Sequence, residues 1–100
     1  MKTIQGLRKR TAGIAYVRDG QKVDDFGPLR VGDVATSFHE NGASISIRVD
    51  ALQKEGTFLG TVRRVEREVP GLKVRELIVN NMDFVFVVVR GDNAAAAMYE

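Results

Sequence analysis

Apolar and polar residues alternate with a period of two along much of this chain, most regularly over residues 34–49, VATSFHENGASISIRV. At the middle of that stretch stands Asn41-Gly42, the pair selected by a two-residue type I′ turn, in which both central residues need φ > 0. With those two as the loop, Phe38 faces Ile45, Thr36 faces Ile47 and Val34 faces Val49. Val34, Phe38, Ile45, Ile47 and Val49 then share one face. Ala35, Ser37, His39, Ser44, Ser46 and Arg48 share the other. A slip of one residue would put the apolar residues of the two strands on opposite faces, so turn chemistry and patterning predict the same hairpin.

Similar signals flank it. Ile14–Arg18 and Gln21–Asp24 surround Asp19-Gly20, a second I′ pair, which sets Val17 opposite Lys22 and Tyr16 opposite Val23. Phe26-Gly27-Pro28 ends that hairpin, and Gly32-Asp33 supplies a tight turn into the central one. Beyond Val49 the alternation runs to Ala51 and a loop at 53–56. A strand over Thr57–Glu66 follows, with Ala51 opposite Phe58, Val49 opposite Gly60 and Ile47 opposite Val62. Gly60 inside that strand implies a bulge, a bend or close approach of another backbone. Pro70-Gly71 predicts a further turn, with Glu68 facing Lys73, Glu66 facing Arg75 and a partner strand over Leu72–Val79. Asn80–Asp83 reads as a loop.

Phe84–Val89 is six apolar β-formers in succession. Such a strand is central, or is covered on its outer face by another element or subunit. As the last strand of a meander it is expected at an edge, unless it pairs with the Ile14–Val23 hairpin. Residues 91–93 stop it, and Ala94–Tyr99 allows a short helical turn capped by Asp92 or Asn93.

These elements predict an all-β domain: an antiparallel meander of six to seven strands forming a small barrel or a two-layer sandwich. The chain divides into a basic amino-terminal arm (1–12), the β meander (13–91) and a tail (92–100). The expected core is Val34, Phe38, Ile45, Ile47, Val49, Phe58, Val62, Leu77 and several of Phe84–Val89.

Composition narrows the function classes. The 100 residues are 44% hydrophobic and 28% charged, with no cysteine, which fits a soluble chain in a reducing cytoplasm and leaves stability to packing. Neither a leader-like apolar region nor a membrane-length apolar run is present, so no membrane partner is expected. Net charge is +2, unevenly placed: residues 1–30 hold seven basic side chains against three acidic ones. Arg8, Lys9, Arg10 and Arg18 are the candidate nucleic-acid or polyanion contacts. Arginines ahead of a small β-barrel invite comparison with PilZ domains, whose pattern separates two arginines by three residues and adds a later Asp/Asn-x-Ser-x-x-Gly. Arg8, Arg10 and Asn41-Gly-Ala-Ser44 depart from both halves of that pattern, and no residue role is carried over.

Candidate chemistry is sparse. His39 is the single histidine, placed beside a hairpin tip without a nucleophile or orienting acid. Asp24 and Asp25 point to opposite sides of an extended segment, and Gly56–Gly60 lacks the ending of a phosphate loop. Of Arg63 and Arg64, one is expected outward and the other on the apolar face near the strand end, where it can snorkel or pair with Glu66 or Glu76. The chain is therefore expected to be non-enzymatic, with no metal and no cofactor. Two roles remain: a nucleic-acid-binding module using the basic cluster, or a structural subunit that self-associates as a homodimer through Phe84, Phe86 and Val88.

Overall fold

The computed structural model describes residues 2–90. They form seven strands: β1 (Ala15–Arg18), β2 (Gln21–Lys22), β3 (Val34–Phe38), β4 (Ser44–Leu52), β5 (Thr57–Glu66), β6 (Leu77–Asn81) and β7 (Val87–Val89). All seven belong to one sheet in the order β2-β1-β7-β3-β4-β5-β6. The domain is all-β, as expected. Its sheet is mixed, for β1 and β7 run parallel while every other strand pair is antiparallel, and it is not closed into a barrel, since β2 and β6 at its ends do not pair. The anticipated helical turn at Ala94–Tyr99 lies outside the described residues. No helix among the described residues is long and apolar enough to cross a membrane.

The two Gly-containing turn pairs behave differently. Asp19 and Gly20 both take positive φ (55° and 77°), and the resulting I′ turn pairs Val17 with Lys22 as expected. At the central hairpin only Gly42 does so, at 94°. There Gly42 N–H donates to His39 O at 2.9 Å and His39 N–H donates to Ala43 O at 2.9 Å, which makes a three-residue loop of residues 40–42. Phe38 therefore pairs with Ser44, Ser37 with Ile45 and Ala35 with Ile47, one residue from the expected register. Ile45, Ile47 and Val49 remain fully buried and Val34 is buried as expected, but over the rest of β3 the other face turns inward. Ala35 and Ser37 fill the interior, while Phe38, expected in the core, points outward and packs edge-on against Phe86, with ring centroids 5.1 Å apart.

Strand β5 keeps the expected Val49–Gly60 and Ile47–Val62 pairs, with bulges on either side of them that set Leu52 rather than Ala51 opposite Phe58. A Cβ on Gly60 would lie 2.5 Å from Ile47 Cγ2 and 2.7 Å from Arg48 O, so the glycine marks close approach of the β4 backbone. The Pro70-Gly71 turn forms, with Leu72 N–H donating to Val69 O at 3.1 Å. Its flanks do not become a hairpin. A second turn follows at once, in which Arg75 takes φ 74° and the Glu76 carboxylate accepts the Lys73 N–H at 3.1 Å. Glu66 pairs with Arg64 and Glu76 with Lys2, in place of the expected cross-strand pairs. The kink also shifts the inward face of β6, so that Ile78 is fully buried and Leu77, expected in the core, is exposed.

Strand β7 occupies the middle of the sheet rather than an edge. It pairs with β1 of the first hairpin on one side and with β3 on the other. Opposite it the sheet curls, so that β3 and β6 meet across the interior, where Asn80 Nδ2 donates to Ser37 Oγ at 2.9 Å. This bond satisfies two buried polar side chains that an apolar core would otherwise penalise. The amino-terminal segment crosses the open side: Thr3 bridges to Val79 on β6 and Leu7 to His39 beyond β3, while Ile4 and Leu7 pack against the core.

Arg90, immediately after β7, is buried with Asp33. Their side chains meet at 3.2 Å, Arg90 Nη2 donates to Phe26 O at 2.6 Å, and the guanidinium stacks 3.8 Å from the Phe26 ring centroid. Asp33 Oδ2 also accepts the Arg30 N–H at 2.8 Å, so one carboxylate fixes both the turn before β3 and the end of β7.

Candidate functional site

The expected basic cluster divides into three environments. Arg8 and Lys9 are exposed on the amino-terminal segment, whose backbone is pinned on either side of Lys9. Arg8 N–H donates to Phe38 O at 2.8 Å and Arg10 N–H to Asp83 O at 2.7 Å. Arg10 is half-buried, and its guanidinium donates to the carbonyls of Ala12 and Met82 at 2.6 and 3.3 Å, holding the segment against the turn before β7. Arg18 lies at the far end of β1, beyond the Val17–Val89 pair, and forms an ion pair with Asp25 at 3.2 Å. Arg18 and Arg10 thus stand at opposite ends of the β1–β7 ladder.

A further arginine joins the cluster through the fold. The register of β4 and β5 sets Glu66 opposite Ser44, so the chain leaves β5 beside the β3–β4 hairpin tip. Arg67 Nη1 donates to Asn41 O at 2.8 Å, and Arg8 Nη2 lies 3.4 Å from Glu40 O. Two exposed arginines from distant parts of the chain therefore hold adjacent carbonyls of one tip. Asn41 is fixed there by its own amide, which accepts the Ala43 N–H at 2.7 Å and donates to Glu68 O at 3.1 Å. Gly42 leaves room for Arg67, since a Cβ there would stand 3.1 Å from Nη1. Nothing in the local sequence around Arg67 marks it. Its place follows from the three-residue loop and the bulged β4–β5 register.

The outer side of this region carries aromatic surface. Leu7 pairs antiparallel with His39, which sets Arg8 opposite Phe38 on the side of the strands away from the core. Phe86 packs on Phe38, and both rings are half-buried. Of the expected interface residues, Val88 is fully buried in the chain's own core and is unavailable to a partner. Phe84 is half-buried and lines a cleft of about 240 Å³ with Thr3, Ile4 and Leu7, and Phe86 belongs to the outer aromatic pair.

His39 lines a second cleft, of about 370 Å³, between the amino-terminal segment and the Val69–Leu72 turn. Its Nδ1 accepts the Asn41 N–H at 3.1 Å, which leaves Nε2, against Gly6, to carry the proton of the neutral ring. Lys2, at the same cleft, is taken up by Gly71 O and by Glu76. The Lys2 ammonium, followed by the Lys73 N–H, holds the Glu76 carboxyl below the usual carboxylate range. Among the described residues no three His, Asp or Glu side chains group as metal ligands. Comparison with models of known protein families, with curated proteins and with solved structures finds no match.

Proposed function

We propose that this chain is a non-enzymatic polyanion-binding module that contacts nucleic-acid phosphates through Arg8, Lys9 and Arg67. The observation that carries this reading is the convergence of Arg8 and Arg67 on adjacent carbonyls of the β3–β4 tip, with exposed Lys9 next in the chain. Guanidinium groups held in this way keep further donors for phosphate oxygens, and preorganisation lowers the entropy cost of binding. Arg10 serves as an anchor that orients the segment, and Arg18 stands outside the contact surface.

The test is a fluorescence-anisotropy titration of a labelled mixed-sequence oligonucleotide at several salt concentrations. Three phosphate contacts to a single strand give a log–log slope of about −2, which is roughly 20-fold weaker binding between about 50 and 200 mM salt. Replacing Arg8 and Arg67 together by Ala is expected to flatten that slope by about 1.4. Absence of binding at low salt, or a double variant that keeps the native slope, would overturn the proposal.

A further inference from the structure

We infer that the polyanion is a single-stranded nucleic acid whose bases stack on Phe38 and Phe86, an inference that rests on the phosphate-binding reading above and gives it a substrate class. Three features of the outer face support it. The inward turn of Ala35 and Ser37 leaves Phe38 on the side of β3 away from the core, where it packs on Phe86 and not on the interior. The rings meet edge-on at 75°, so mutual contact takes up the face of one ring and the edge of the other, and the half-buried pair keeps part of its aromatic surface accessible. Finally, the basic segment borders the pair: Arg8 lies opposite Phe38, and Arg10 is bonded through its backbone to Asp83, three residues before Phe86.

Base faces in a duplex are taken up by their neighbours in the stack, whereas an unpaired strand presents them beside its phosphates. A flat aromatic next to fixed cations suits the second geometry. Stacking of this kind tolerates any base, because each has a π-face. The charge of the bordering segment also favours this occupant over a second copy of the chain, which is itself net positive.

The experiment compares three probes on the native chain at one salt concentration: an oligothymidylate, an abasic oligonucleotide of the same length, and a duplex. The abasic strand keeps the phosphates and removes the bases. The thymidine strand is expected to bind tighter than the abasic one by roughly 5- to 150-fold for each base stacked, with the duplex resembling the abasic strand. Phe38→Leu and Phe86→Leu keep apolar volume without a π-face, and each is expected to narrow that ratio while the salt slope stays unchanged. Thermal unfolding checks that the variants fold. If one does not, the comparison of probes on the native chain still decides. Equal affinity for thymidine and abasic strands overturns the stacking inference but leaves phosphate binding standing, provided that removing Arg8 and Arg67 weakens both. No binding of any probe defeats both readings.

Discussion

Replacing Asp33 by Asn keeps the shape of the side chain and an oxygen able to accept the Arg30 N–H, but strips the charge that Arg90 faces. Both residues are almost completely enclosed, at 1% and 4% exposure, so the guanidinium left behind is poorly placed to recover hydration. Its remaining contacts, Phe26 O at 2.6 Å and the face of the Phe26 ring, supply donor satisfaction and a quadrupole but no countercharge. Uncompensated burial of this kind costs about 3–5 kcal/mol. A domain of this length has a total stability of about 5–15 kcal/mol, so a substantial share of it is at stake. At about 4–8 °C per kcal/mol, the unfolding midpoint is expected to fall by at least about 12 °C. The decisive design is a cycle of Asp33→Asn, Arg90→Met and the double variant, followed by circular dichroism in urea and on heating. Because the double variant leaves neither charge stranded, it is expected to be more stable than the sum of the single losses allows, with a coupling of about 2–3 kcal/mol. Additive losses, or an Asp33→Asn variant within about 0.5 kcal/mol of the native chain, would refute the assignment of this pair as the clamp between the pre-β3 turn and β7.

Gly60→Ala is expected to destabilise by about 1–3 kcal/mol, since its methyl must displace Ile47 Cγ2 and the Arg48 carbonyl, and backbone cannot swing aside as a side-chain end can. Urea unfolding measures this, and an unchanged or raised midpoint would contradict the close approach. For Glu76, the Lys2 and Lys73 interactions lower the folded-state pKa relative to the unfolded chain. The stability they contribute is present above the unfolded pKa and is lost as pH falls through the folded one. An NMR titration of the Glu76 carboxyl is expected to give a midpoint below the ordinary carboxylate value, and Lys2→Ala to raise it. A midpoint at the ordinary value in the native chain would count against the contact.

Local chemistry decided some of these features and distant contacts decided others. Asp19-Gly20 lies in a short exposed hairpin, and its turn type is set by its own two residues. Asn41-Gly42 is an equivalent pair, but the Glu40 N–H there is claimed by Gly6 O at 2.9 Å and Asn41 by Glu68, so contacts from two distant parts of the chain select the longer loop. That one-residue difference inverted β3. It placed Ser37 where an apolar residue was expected, which is tolerable because Asn80 on β6 supplies its partner. The buried face of β4 was legible because Ile45, Ile47 and Val49 alternate cleanly and their pairing with β5 centres on Gly60. Pairing of the last apolar run with the first hairpin was legible as the alternative to an edge, but its parallel sense was not, since hairpin signals report only neighbours in sequence. At the candidate site, Arg8 and Lys9 are visible as charge in the sequence. Arg67 and the outward Phe38 depend on registers that no local pattern specifies.

The central position of β7 also determines when this sheet can exist. The β3–β4–β5 ladders join residues close in sequence and need only short loops to close. The β1–β7 ladder joins residue 15 to residue 87, so its closure entropy is met only when the more than seventy residues between them are available. During synthesis the first hairpin must therefore wait, its inner strand unpaired on one side, until β7 emerges and fills the gap beside β3. Premature termination shortly before Val87 would remove the middle of the sheet and expose two strand edges at once, the kind of surface on which chains aggregate.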